Sequence, residues 1–214
     1  MYRQVAADRG GDRVSRRPLA LPTRPSMRVD VEEVASLYRQ LLLALGEDPD
    51  REGLAETPRR VAAWWREFLE HDPGRTDTAF AHAGAGDQFV LVRGIRAWSL
   101  CEHHLLPFRV TLAVAYVPTG RLVGLSKLAR IAADHAHRLQ LQERLTDDVA
   151  RDVARVTGSQ DVAVLADAEH LCMSMRGVRA DAARTSTSCL LGRLRSDTAL
   201  ADRLYAVVYR DGPR

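Results

Sequence analysis

The chain has 214 residues, 46% apolar and 28% charged, which suits one well-packed globular domain with appendages and holds no apolar run near the roughly 20 residues that span a bilayer. Three cysteines with no secretory signal core ahead of them argue against a disulfide-stapled fold and for a reducing cytoplasm with free or metal-bound thiols. The net charge of +3 is uneven: residues 1–30 hold seven arginines against three aspartates, so the remainder carries −1 and lacks the basic footprint of a nucleic-acid binder.

Residues 1–28 mix Arg, Gly, Pro and Ser with no apolar period and read as a disordered, Arg-rich extension. From Val31, the residues Val34, Leu37, Tyr38, Leu41, Leu42 and Leu45 recur at three-and-four spacing, with Asp30 as N-cap and Gly46 as stop. That pattern predicts an amphipathic helix. Thr57-Pro58 reads as the cap and first position of a second helix running through Val61, Trp64, Trp65 and Phe68 to about Glu70, followed by a loop over 71–87. Residues 29–87 are thus an N-terminal helical segment.

Beyond Gln88 the period changes. Phe89 to Val92 is strand-like, and Val110 to Val117 is a longer strand ended by Pro118-Thr-Gly120. One helix starts near Ser126; another runs from about Gln142 to Val156 and stops at Gly158. Asp161 to Ala168 and Thr185 to about Leu194 supply two further strands, and a helix from Asp197 to about Val208 closes the chain. Residues 88–210 therefore read as one unit with core order strand, strand, helix, helix, strand, strand.

Of the 31 basic residues 30 are arginine, so the single lysine, Lys127, marks a position where a compact ammonium is wanted instead of a planar fork. Lys127 and Arg130 lie one turn apart in Ser126-Lys-Leu-Ala-Arg130 at a helix start, where free amides favour an anion. Arg60 near the second helix start and Arg176 after the cysteine strand are further cations, distinguished from surface charge only if they converge.

The densest reactive cluster is Cys101-Glu-His-His104. Thiolate and imidazole two residues apart suit one divalent metal held from a turn, although a buried structural cysteine has the same look. His170-Leu-Cys172 ends a strand-like run in which residues two apart share a face, presenting a second thiol beside an imidazole. If Cys172 joins Cys101 and His104, three protein ligands leave one open position. That is the catalytic zinc pattern, in which the pKa of bound water falls to roughly 7. His103 and His170 are then placed either as proton shuttles or as hydrogen-bond partners of the ligands. His71 and His82 fall in a loop, and His135 and His137 on a helix in solvated or packing roles. In Gln142-Glu-Arg144 the Glu143 carboxylate either accepts the paired N–H donors of a guanine edge or serves as a helix-start acid.

Four blocks in order, Ser99-Leu-Cys-Glu-His-His-Leu-Leu-Pro-Phe108, Gly124-Leu-Ser-Lys-Leu-Ala-Arg130, Gln140-Leu-Gln-Glu-Arg-Leu-Thr146 and His170-Leu-Cys-Met-Ser-Met-Arg-Gly177, resemble the GTP cyclohydrolase I family over about residues 30–210. The resemblance implies the α+β tunnelling fold, an antiparallel four-stranded sheet with two helices on one side preceded by N-terminal helices. It also implies a toroidal homodecamer with active sites between subunits. It implies Zn2+ on Cys101, His104 and Cys172, with His103 and His170 as proton-transfer residues. Arg60, Lys127, Arg130 and Arg176 would grip the triphosphate, Ser126 would lie near the sugar, and Glu143 would recognise guanine with Gln142 beside it. The implied activity is hydrolysis of GTP at carbon 8, release of formate and rearrangement to 7,8-dihydroneopterin triphosphate, the first step of tetrahydrofolate and pterin biosynthesis, without an organic cofactor.

The chain departs from the family pattern at Val110-Thr111, where Gly-Lys is common, and at Ile95-Arg-Ala-Trp98, where a Pro-aromatic lead-in is usual; Asp134-His-Ala-His137 and Cys189 are also distinctive. None of these is a proposed ligand, so they bear on subunit packing, loop shape and substrate detail. Two other readings stand beside the leading one. The first is a specialised paralogue that stops at the opened formamidopyrimidine or takes another purine nucleotide. The second is a non-catalytic, zinc-stabilised nucleotide-binding protein, which would need a fourth ligand such as Cys189.

Overall fold

The computed structural model describes residues 28–81, 86 and 88–210; the extension expected over 1–28, Arg28 excepted, and His82 lie outside them. In chain order the elements are α1 (Val31–Ala44), α2 (Thr57–Leu69), β1 (Ala79–Ala81), β2 (Val90–Cys101), β3 (Pro107–Tyr116), β4 (Arg121–Val123) and α3 (Leu125–Ala136). There follow β5 (Leu139–Gln140), α4 (Gln142–Thr157), β6 (Val162–His170), α5 (Leu171–Ser174), β7 (Thr185–Leu190), α6 (Arg193–Ser196) and α7 (Thr198–Val208).

The strands β2, β3, β6 and β7 form the expected antiparallel four-stranded sheet, extended at the β2 edge by the two-residue parallel strand β5. Side chains alternate across a strand. Val110, Leu112, Val114 and Tyr116 of β3, with Val162, Val164, Ala166 and Ala168 of β6, therefore face one way, against α3 and α4. Those helices answer with stripes at helical spacing, Leu128, Ile131, Ala132 and Ala136 on α3 and Leu145, Val149, Ala150, Val153 and Val156 on α4. The intervening Ala113, Ala115, Ala163 and Leu165 face the other way and are covered by Leu194, Leu200 and Leu204 of α6 and α7. Both faces of the central strands are covered, so they read as unbroken apolar runs.

Several boundaries follow their expected caps. Asp30 accepts from the N–H of Glu33 at the start of α1, Asp197 accepts from Leu200 at the start of α7, and Gly158 ends α4 in the left-handed region at φ 72°. Others differ. Thr57 is the first residue of α2, and Glu56 precedes it without a side-chain cap. The loop expected over 71–87 contains β1, three residues that pair with β4 and are too short to show a period. The strand expected to reach Leu194 stops at Leu190, because Gly192 turns the chain at φ 55° into α6. The first strand is much longer than Phe89 to Val92: a bulge between Arg93 and Ile95, with Gly94 at φ 77°, shifts the inward positions from Val90 and Val92 to Ile95, Ala97, Ser99 and Cys101.

On the N-terminal side, α1 packs on α2, and Trp65 Nε1 donates to the Tyr38 hydroxyl at 2.8 Å. His137, at the end of α3, stacks on His71 with ring centroids 3.9 Å apart and lies 5.0 Å from the ring of Phe68 on α2. No helix among the described residues is long and apolar enough to cross a membrane.

Candidate metal centre

Cys101 is the last residue of β2, and the reversal into β3 is built around it. Its N–H donates to the Leu106 carbonyl at 2.9 Å, while its own carbonyl accepts from the N–H groups of His104 at 3.3 Å and Leu105 at 2.8 Å. Leu105 closes the turn at φ 55°, a conformation that a branched residue adopts at a cost and only where its surroundings fix it. Folded back this way, the turn returns His104 towards Cys101.

The second thiol arrives differently from expectation. β6 ends at His170, so His170 and Cys172 do not share a strand face; Cys172 sits in the helical turn α5, closed by the Met175 N–H donating to the Leu171 carbonyl at 3.0 Å. The turn nevertheless delivers the thiol to the same place. The ligand atoms of Cys101, His104 and Cys172 all lie within 4.8 Å of one another, with Cys101 buried, Cys172 partly buried and His104 exposed.

Two sulfurs and an imidazole nitrogen are the donor set zinc prefers, and bond lengths near 2.3 and 2.0 Å put tetrahedral donors about 3.5–3.8 Å apart, so these side chains fit the ion with small adjustments. The electrostatics agree with the fit. Burial first, and then the neighbouring Cys101, push the Cys172 thiol above its ordinary range. A divalent cation reverses both effects by favouring the thiolates. Cys189 is not a fourth donor: its thiol lies 3.6 Å from Asp147 Oδ1, and burial followed by that carboxylate raises it to about 11.

Around the three donors stand several of the other expected residues. The His170 ring stacks on Phe108, its cross-strand partner, with centroids 4.5 Å apart and planes 14° apart. His170 Nε2 lies 2.8 Å from Gln142 Oε1. Burial pushes this imidazole below its usual range, and the Glu143 carboxylate acts in the opposite sense. Arg176 Nη1 donates to His104 Nε2 at 2.9 Å, setting a permanent cation at the group. The exposed His103 meets His104 edge to face at 6.2 Å.

Sequence reasoning missed three supports: Phe108 behind His170, and the pair in which Arg144 donates to both oxygens of Glu102 at 2.7 and 3.2 Å. That pair ties the β2–β3 turn to the first turn of α4, and the hydrogen bond from Arg144 holds Glu102 below the usual carboxylate range. Their types were visible within the motifs; a pairing across 42 positions was not.

Four expected residues stand apart from this cluster. Arg60 is exposed on α2, and Ser126, Lys127 and Arg130 occupy the first turns of α3, where Arg130 Nη1 donates to the Pro73 carbonyl at 2.8 Å. No hydrogen bond or ion pair among the described residues joins these four to the Cys101, His104 and Cys172 group.

Comparison with known proteins points in one direction. The family model described as GTP cyclohydrolase I matches residues 34–209. The chain is 45% identical to the GTP cyclohydrolase 1 of Hyperthermus butylicus over 183 residues, covering 85% of this chain and 93% of that protein. It is 43% identical to that of Clostridium acetobutylicum over 192 residues, 85% of this chain and 98% of that protein. With that of Alkalilimnicola ehrlichii the identity is 47% over 170 residues, 78% and 91% of the two chains.

Proposed function

The chain belongs to the GTP cyclohydrolase I family and is a hydrolase of GTP, and from that premise we propose that it works at the Cys101, His104 and Cys172 group, releasing formate and forming 7,8-dihydroneopterin triphosphate. The observation that carries this assignment is the convergence of two thiols and an imidazole from separate turns, with His170, which feels the Glu143 carboxylate, two residues before Cys172.

Zinc held by Cys101, His104 and Cys172 supplies a Lewis acid that lowers the pKa of its water to roughly 7. The rest of the work falls to the chain. Hydrolysis at carbon 8 requires a proton on the adjacent ring nitrogen as the carbon–nitrogen bond opens; His170, partly buried and held flat by Phe108, delivers it. His103, exposed on the turn, exchanges protons during the later opening of the ribose and closure of the pterin ring. Glu143 accepts the adjacent ring and exocyclic N–H groups of guanine, a pairing adenine does not offer. Arg176 neutralises triphosphate charge at the group itself.

Arg60, Lys127 and Arg130, with Ser126 near the sugar, complete the substrate site across a boundary between copies of the chain, in a toroidal homodecamer. Within each copy, residues 88–210 are the catalytic domain and 29–87 the N-terminal helical segment. A site with two free thiols suits the reducing cytoplasm.

The test is to incubate zinc-loaded protein with GTP while following formate and pterin absorbance together, with Cys172→Ser as the control. Both products are expected from the native chain. Loss of a ligand should cost more than the about 10–100-fold typical of an outer-shell change. Formate without pterin would assign the chain to a paralogue that completes hydrolysis but does not close the pterin ring, and GTP consumed with neither product would assign it to one that stops at the formamidopyrimidine. Undiminished turnover in Cys172→Ser would overturn the proposed centre.

A further inference from the structure

The family resemblance places Gln142 beside the guanine base, yet its side chain has no edge left to offer. Gln142 opens α4, is 2% exposed, and holds its amide nitrogen 2.8 Å from the Thr185 carbonyl and 3.3 Å from the Ala166 carbonyl. A carbonyl oxygen only accepts, so the atom facing two of them is the NH2 group, and both its hydrogens are committed. The amide oxygen then faces His170 Nε2 at 2.8 Å and must accept from it. The orientation is fixed by chemistry: the flipped amide would set an oxygen against two oxygens.

We infer that Gln142 is a positioning residue for His170, holding it as the Nε2–H tautomer so that Nδ1 is the nitrogen that exchanges a proton with substrate. The inference rests on the proton-transfer role proposed above for His170. Gln142 is itself braced. Thr146 Oγ1 donates to the Gln142 backbone carbonyl at 2.8 Å and lies 2.6 Å from Thr187 Oγ1. Ala166 belongs to the strand that carries His170, and Thr185 begins the neighbouring strand, so the anchor and the imidazole share one rigid frame. Stacking on Phe108 sets the ring plane, and the amide oxygen sets which nitrogen points inward. An oxygen acceptor keeps this bond whether Nδ1 is bare or protonated, so the ring need not turn as the proton moves. In Ser-His-Asp triads the acceptor behind the histidine has the same task, and its loss costs up to about 10⁴ in kcat.

Gln142→Met keeps the length of the side chain and removes both acceptor and donors. A neutral amide is a weaker holder than a carboxylate, so the expected result is a fall in kcat of about 10–100-fold with KM within about threefold. In a His170→Ala background the same change should cost less than about twofold, because a residue acting through His170 has nothing left to orient. A large rise in KM with kcat intact would make Gln142 a substrate contact and overturn the inference. An equal loss of kcat in the His170→Ala background would do the same. If His170→Ala alone leaves turnover unchanged, the failure is that of the role assigned to His170. Nitrogen-15 chemical shifts of histidine-labelled native protein give a readout independent of turnover and of whether the variants fold. Bare Nδ1 with Nε2–H at His170 is expected, and the opposite tautomer refutes the inference.

Discussion

At Asp161 a single carboxylate joins the start of β6 to the end of β7. One oxygen accepts the Arg193 backbone N–H and the other its Nε, both at 2.8 Å, and the chain reaches this position only because Gly192 at φ 55° has no side chain: a Cβ there would collide with the Asp161 carboxylate and the Gln160 carbonyl. Burial pushes the Asp161 carboxyl upward, but the two N–H bonds and the Arg193 charge outweigh it and hold it below the usual range. A carboxyl whose folded pKa lies below its unfolded value stabilises the fold above the ordinary pKa near 3.9, and that contribution is lost as pH falls through the folded value. Asp161→Asn should therefore be less stable than the native chain at neutral pH and lose less stability on acidification. Urea melts at pH 7 and at steps below pH 5 test this; parallel acid profiles would refute it. Such contacts were not legible in the sequence, where Asp161 looks like any strand-start aspartate. The grouping of Cys101, His104 and Cys172 was legible, because Cys and His at short spacing are chemically rare and few other residues could replace them as ligands.

The elements were most readable where one periodic face met one core. The caps Asp30, Gly158 and Asp197 and the stripes on α3 and α4 are local signals, and α1, α4 and α7 fall close to where those signals put them. β2 was truncated because its alternation changes phase at Gly94. Before the bulge the inward residues are Val90 and Val92; after it they are Ile95, Ala97, Ser99 and Cys101, while Arg96 and Trp98 point outward. A strict period of two therefore fails across Gly94. Gly94→Ala has no neighbour within 4 Å to strike, so it should cost only the strain of a positive φ, about 1 kcal/mol. Deleting Gly94 removes the extra residue and leaves Val92 and Ile95 two apart, so Ile95, Ala97, Ser99 and Cys101 stay inward and Arg96 outward; that variant should fold with Cys101 still facing its partners, losing only the local bend. Circular dichroism and zinc retention of the two variants compare these outcomes. A deletion variant that fails to fold or cannot hold zinc would show that Gly94 does more than absorb one residue of β2.

At the scale of the whole molecule, what no periodicity could reveal is which distant residues meet. One chain groups Cys101, His104 and Cys172 with Arg176 on His104, and sets the His170–Gln142 pair at the same end of the sheet, because β2 and β6 both finish there and α4 starts there. Lys127 and Arg130 ride on α3, whose first turn opens elsewhere, and Arg130 is engaged by Pro73. Large apolar side chains remain uncovered on one copy, among them Leu41 at 47% and Trp98 at 52% exposure, with Met175 and Val178 just past the metal turn at 62% and 74%. Solvent-facing apolar residues next to a functional turn are what an interface between copies would bury. If the substrate site is shared across that interface, the defects of Lys127→Ala and Cys172→Ser lie in different chains of each site. Unfolded together in equal amounts and reassembled with zinc, two inactive variants should then regain activity, since random pairing leaves about a quarter of the sites with both an intact lysine and an intact cysteine. A mixture as inactive as its parents, at an oligomeric size shown by sedimentation to match the native protein, would mean that each chain builds its site alone and that α3 must move towards the metal turn when GTP binds.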